Sequence, residues 1–93
     1  MSDIFDILFA TLLDRKANPR AGSYTAELLA AGEDEIVKKV GEEAIELILA
    51  AKGQGDQRLV EETADLIYHV LVLLVAKDLT WRDIQTELAK RHH

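Results

Sequence analysis

Gly41-Glu42-Glu43-Ala44-Ile45-Glu46, answered downstream by Glu61-Glu62-Thr63-Ala64-Asp65, is the pair of segments that decides how this chain folds. Apolar residues recur three and four apart on both sides of each segment, which is the period of a helix. Residues at that spacing share a face, so Glu43 pairs with Glu46 and Glu62 with Asp65. Between them lies Gly53-Gln54-Gly55-Asp56, a short breaker of the kind that joins antiparallel helices. Counted from Gln54, Glu46 and Glu62 are equidistant, and so are Glu43 and Asp65. At a rise of about 1.5 Å per residue both pairs fall at matching heights. The expectation is an all-α helical bundle built on a central antiparallel hairpin.

Such a hairpin brings four carboxylates into one small volume, where like charges repel unless a cation neutralises them or some take up protons. A hard divalent cation is the simplest remedy, because carboxylate oxygens suit magnesium or manganese. A Glu-rich helix is also commonly just a solvated face. Two features speak against that reading. In the apolar stripe Ile36, Val40, Leu47, Ala50, Glu43 stands where the next apolar residue belongs. The acidic echo in the following helix is, in addition, symmetric about the turn.

With 93 residues the chain is expected to form a single domain over residues 1–93, with one modest core. Aromatics are few and proline occurs once, at Pro19, which favours helices over sheets. No cysteine is present, so disulfides and thiolate metal sites are excluded, and a reducing cytoplasm fits. A net charge of −6 argues against a nucleic-acid binder. Asp3 and Asp6 replace the basic start of a signal peptide, and the apolar run Leu66 to Ala76 is too short to cross a bilayer. A soluble cytoplasmic protein that engages neither membrane nor nucleic acid is expected.

In chain order, Ser2 and Asp3 can cap a first helix carrying Ile4, Phe5, Leu8, Phe9, Leu12 and Leu13 and ending before Pro19. The connection from Arg15 to Thr25 is the most basic part of the chain. It reads either as an ordinary loop and helix cap, or as a phosphate-gathering segment in which Arg15, Lys16 and Arg20 act with a helix start at Ser23/Thr25. Tyr24 to Ala31 forms a short helix closed by Gly32, and the next runs from Glu33 to about Lys52. Lys38 and Lys39 lie one turn before the acidic cluster, as surface residues or as phosphate contacts. The following helix starts near Asp56 and is apolar nearly all round past Asp65, so it must be covered on every side. The remaining short helices look insufficient for that, which points to a homo-oligomer, most simply a homodimer. His69, one turn past Asp65, is a packed core histidine or an orienter of Asp65. Thr80-Trp81-Arg82-Asp83 reads as a capping box opening a last helix, with Trp81 a core anchor; His92 and His93 carry no argument.

Di-iron bundles draw on Glu-x-x-His pairs, whereas here Glu62 is followed by Asp65, an all-oxygen set that favours magnesium over redox iron. Magnesium held by carboxylates typically bridges to substrate phosphates, and a carboxylate beside it can orient or deprotonate water. Hydrolysis of a phosphoanhydride follows as the leading expectation.

Lys38-Lys39-Val40-Gly41-Glu42-Glu43-Ala44-x-Glu46, then Glu61-Glu62-x-Ala64-Asp65-Leu66-x-Tyr68-His69, with Ser23-Tyr24-Thr25 upstream, closely resembles the phosphoribosyl-ATP pyrophosphohydrolases of histidine biosynthesis. These belong to the all-α, MazG-like nucleotide pyrophosphohydrolases. The E-x-x-E and E-x-x-D pairs mark only that superfamily; the other blocks are more specific, and the likeness spans nearly the whole chain. It implies cleavage of 1-(5-phosphoribosyl)-ATP to 1-(5-phosphoribosyl)-AMP and pyrophosphate, with Mg²⁺ required. It implies Glu43, Glu46, Glu62 and Asp65 as metal ligands and Glu42 and Glu61 as water-activating or supporting carboxylates, while Arg15, Arg20, Lys38 and Lys39 are candidates for phosphate contacts by position and charge. The family is often fused to the phosphoribosyl-AMP cyclohydrolase that uses its product. The stand-alone form is expected here, with product passed to a separate cyclohydrolase. One departure is Lys77-Asp78-Leu79, which lacks the glycine expected at that turn. The alternatives are a MazG-like enzyme acting on nucleoside triphosphates of the dUTP or dCTP type, and a helical interaction module without activity.

Overall fold

The computed structural model describes residues 3–92 and consists of five helices, with no strand among the described residues. They are α1 (Ile4–Ala17), α2 (Tyr24–Ala31), α3 (Glu33–Gly53), α4 (Asp56–Ala76) and α5 (Trp81–Arg91). The most extensive packing joins α3 to α4, the two 21-residue arms of the central hairpin. Helix α1 packs on α4, α2 and α5, and α2 rests on both arms. The all-α bundle expected from the sequence is the observed architecture.

Each boundary has a local cause. The Asp3 carboxylate accepts the Asp6 N–H at 2.9 Å and caps α1, while the Ser2 part of that expected cap lies outside the described residues. Ser23 Oγ caps α2 by accepting the Ala26 N–H at 3.2 Å. Gly32 ends α2 and begins α3 in a single residue at φ 105°, a backbone state that side-chain-bearing residues rarely adopt. At α5 the expected capping box is present. Thr80 Oγ1 accepts the Asp83 N–H, and the Asp83 carboxylate accepts the Thr80 N–H.

The turn lacking a glycine keeps the geometry that a glycine would favour. Asp78 takes φ 59°, the Leu79 N–H reaches back to the Leu74 carbonyl, and the Asp78 N–H to that of Val75. That is a Schellman closure with aspartate in the left-handed position. Lys16 secures it: its ammonium donates to the Val75 carbonyl at 3.0 Å and to the Asp78 carboxylate at 2.8 Å.

The core gathers Phe9 and Leu12 of α1, Leu28 of α2, Ile36 of α3, and Leu71, Val72, Leu74 and Val75 of α4. Trp81 packs at its edge, its ring stacked on Phe5 with centroids 4.8 Å apart. The chain's own short helices therefore bury much of the C-terminal half of α4, contrary to the expectation that they would not suffice. Uncovered apolar side chains lie elsewhere, among them Ile45, Ile48 and Leu49 on α3, Val60 at the start of α4, and Ile4 and Ile7 on α1.

Candidate active site

Helix α3 contributes Glu43 and helix α4 contributes Glu62 and Asp65, and one carboxylate oxygen from each lies within 4.8 Å of the others. The register of the hairpin explains the convergence, because Glu43 and Asp65 stand equally far from Gln54 and Glu62 is one turn from Asp65. Glu62 is buried, 6% exposed, although it carries a carboxylate. It is satisfied by Arg58, whose guanidinium bonds both Glu61 and Glu62 along the first turns of α4. Burial pushes the Glu43 carboxyl above the usual carboxylate range, with the charges of Asp65 and Glu62 adding to the shift and His69 opposing it.

The remaining acidic positions are more open. Glu46 is exposed and stands outside the group of three. Glu42 is exposed and faces the Lys39 ammonium at 3.5 Å, which raises the lysine's pKa. Glu61 accepts from Gln57 and Arg58, and these bonds hold its carboxyl below the usual range.

Of the basic residues, Lys39 lies one turn ahead of Glu43, and Lys38 is exposed beside it. Arg15 pairs with Asp14 at 2.9 Å and lines a cavity of about 340 Å³ between α1 and α2, whose walls include none of the three clustered carboxylates. Arg20 is exposed in the α1–α2 connection. Lys16 is engaged at the end of α4 by Val75 and Asp78.

Against the carboxylates lies an aromatic cluster. His69 is buried, its Nδ1 2.7 Å from the Asp65 carbonyl and its Nε2 2.9 Å from the Tyr24 hydroxyl. Tyr68 packs edge-on against His69 and bonds the buried Thr25 hydroxyl, which fastens the first turn of α2 to α4.

Comparison with known proteins gives this arrangement its place. The family model for phosphoribosyl-ATP pyrophosphohydrolase matches residues 6–92. The phosphoribosyl-ATP pyrophosphatase of Limosilactobacillus fermentum is 53% identical over 91 residues, covering 98% of this chain and 85% of the relative. That of Methanocella arvoryzae is 45% identical over 93 residues, covering 98% of each, and that of Haloarcula marismortui 50% identical over 91 residues, covering 96% and 93%. The chain belongs to the phosphoribosyl-ATP pyrophosphohydrolase family.

For a phosphoribosyl-ATP pyrophosphohydrolase family member, the donor set has a clear chemical meaning. It is all oxygen, anionic and drawn from two rigid helices, as a hard divalent cation requires. Octahedral magnesium with bonds of about 2.1 Å spreads its ligand atoms over roughly 3–4 Å, so small side-chain rotations bring the three oxygens into reach. The residues fit such an ion.

Two contacts beside the carboxylates were not read from the sequence: Arg58 to Glu62, and Tyr24 to His69. Arg58 could have been found from its i,i+4 spacing to Glu62. Tyr24 stands in the Ser23-Tyr24-Thr25 block, but its pairing with His69 had no such signal, because the two lie 45 positions apart along the chain.

Proposed function

We propose that this protein hydrolyses 1-(5-phosphoribosyl)-ATP to 1-(5-phosphoribosyl)-AMP and pyrophosphate, the second step of L-histidine biosynthesis. The observation that carries this reading is the convergence of Glu43, Glu62 and Asp65 in a chain of this family. We assign residues 1–93 to one domain with that activity. Mg²⁺ is the proposed cofactor, with Mn²⁺ a workable substitute, and Glu43, Glu46, Glu62 and Asp65 are the proposed ligands. Glu46 would join by side-chain rotation from its exposed position.

A bound Mg²⁺ supplies charge neutralisation at the triphosphate and polarises the phosphorus centre under attack. The protein's part is to hold the water and the phosphates in line. Glu42 and Glu61 flank the ligand set, and we assign them to water activation or to support of the ligands. The attacking water forms a new O–P bond, its proton passes to a carboxylate, and the P–O bond to pyrophosphate breaks. Lys38 and Lys39 are the proposed contacts to the phosphate chain nearest the cluster, with Arg15 and Arg20 as outer contacts reached from the α1–α2 connection. The protein is proposed to work in the cytoplasm as a homodimer and to release its product to a separate cyclohydrolase. The uncovered apolar side chains of α3 support the dimer, and no described helix is long and apolar enough to cross a membrane.

The test is pyrophosphate release with Mg²⁺ across phosphoribosyl-ATP, dUTP, dCTP and ATP. Preference for phosphoribosyl-ATP, lost in Glu43→Ala and Asp65→Ala, is the expected result. Preference for a simple nucleotide would transfer the activity to triphosphate clearance. Silence on all four, with the protein folded and metal present, would sink the enzymatic reading.

A further inference from the structure

Gly41 stands in the middle of α3 with nothing inside the chain to call for it. Glycine is the poorest helix former after proline, and a Cβ added at Gly41 would meet nothing within 4 Å. At about 100° per residue, Val37, Ile45 and Ile48 lie within about 40° of Gly41 around the helix, and Leu49 about 80° away. All four are at least half exposed. Asp34 and Lys52 stand on the same strip, one near each end of α3, and neither has an ion-pair partner among the described residues. Glu43, Glu46 and Lys39 lie about 140° to 160° from Gly41, so the strip can be covered without closing the carboxylate cluster.

The strip is complementary to itself. Laid antiparallel on a second copy, with Glu43 of both at one height, it brings its members together in unlike pairs. Asp34 and Lys52 are each nine residues from Glu43, Val37 and Leu49 each six, and Gly41 and Ile45 each two. Opposite charges therefore meet at both ends, and Val37 meets Leu49. The Ile45 side chain enters the gap that Gly41 leaves, and Ile48 lies along the aliphatic stem of Lys38. Other pairings spoil the match. Sliding one helix by four residues, a single turn, sets Asp34 against Ile48 one way and Lys38 against Lys52 the other. A parallel two-fold pairing sets Asp34 on Asp34 and Lys52 on Lys52.

We propose that this face of α3 docks the same face of a second copy, antiparallel, with Gly41 as the socket for Ile45 of the partner subunit. The contact is isologous, so Ile45 enters the partner's Gly41 socket in turn. The two carboxylate clusters then lie at one height and face away from each other. This assignment rests on the homodimer proposed above, and not on which nucleotide is cleaved.

The chain has no cysteine, so introduced cysteines read the register directly. The Val37→Cys/Leu49→Cys double variant should form a covalent dimer on mild oxidation, while either single variant should stay uncoupled. The two positions lie about 18 Å apart along one helix, too far for a bond within the chain. Gly41→Leu fills the socket and should raise the dimer dissociation constant at least about tenfold in sedimentation. Its helical ellipticity should be unchanged, because no other part of its own chain stands near the new side chain. Asp34→Lys and Lys52→Asp should each weaken association about threefold, and the double exchange should restore it.

A wild-type dimer that Gly41→Leu leaves intact would overturn this interface. So would single-cysteine variants that couple as well as the double one, or a double variant that does not couple at all. Each of those outcomes keeps the dimer and places its contact elsewhere, as on Ile4 and Ile7 of α1. Wild type at the single-chain mass would overturn interface and dimer together. Pyrophosphate release by wild type is measured separately, so neither loss is mistaken for failure of the hydrolytic reading.

Discussion

Burial, reinforced by the Asp65 and Glu62 charges, raises the Glu43 carboxyl above the usual carboxylate range. A folded-state pKa above the unfolded one gives stability that is complete below the unfolded value and is lost as pH rises through the folded one. Metal-free protein therefore loses this contribution progressively above about pH 4.3, the ordinary Glu value. In EDTA, Glu43→Gln should melt higher than wild type, and its advantage should widen as pH rises toward neutrality. Saturating Mg²⁺ should reverse the order, because the ion needs the charge that the apo fold resists. Activity should fall by more than the roughly 10- to 100-fold typical of losing an outer-shell partner of a metal site. Arg58 makes the complementary case. It bonds the buried Glu62 carboxylate and so competes for oxygens that an ion would use. Arg58→Ala should lower the melting temperature in EDTA, yet enlarge the upward shift produced by a fixed Mg²⁺ concentration. An unchanged Mg²⁺-induced shift in thermal denaturation would count against that competition.

At the scale of the elements, the closure of α4 is the clearest place for a single substitution to stabilise. Asp78 sits at φ 59°, where a Cβ is unfavourable, and its return is one exposed ion pair with Lys16. Asp78→Gly should raise the melting temperature at neutral pH. Lys16 holds the Asp78 carboxyl below its usual range, so the pair contributes above the unfolded Asp pKa and is lost as pH falls through the lower folded value. The glycine variant has no such pair to lose, so its advantage should be larger in acid, as thermal melts at several pH values would show. This turn also marks how far the sequence could be read. Helix boundaries were legible because their causes are local: Ser23 two residues before Thr25, Gly32 between two helical runs, Thr80 three before Asp83. The meeting of Glu43 with Asp65 was legible too, because a tight hairpin converts distance from the turn into height. What stayed hidden depends on partners far apart in sequence. Lys16 reaches Asp78 across 62 positions and Tyr24 reaches His69 across 45, and neither separation has a period to betray it. Glu46 shows the limit of register arguments: matched height with Glu62 does not fix the direction of an exposed side chain.

For the whole molecule, the distribution of apolar surface bears on assembly. Ile45, Ile48 and Leu49 are each at least half exposed on α3, and Val60 is 62% exposed on α4, more than a lone chain gains by leaving in water. Sedimentation equilibrium should report twice the 10.4 kDa chain mass. Ile48→Glu should shift the protein toward the single-chain mass without disturbing the internal core, since Ile48 is not part of it. A single-chain mass for wild type at micromolar concentration would remove the dimer.

The stack of Phe5 on Trp81 has an optical consequence. The chain has one tryptophan, and it rides on α5 against α1, outside the hairpin that carries the carboxylates. Indole emission is thus a private reporter of whether the outer helices are seated, while far-ultraviolet ellipticity is dominated by the two long arms. A denaturant titration that follows both wavelengths would show whether the outer layer lets go before the arms do, without a label being attached anywhere.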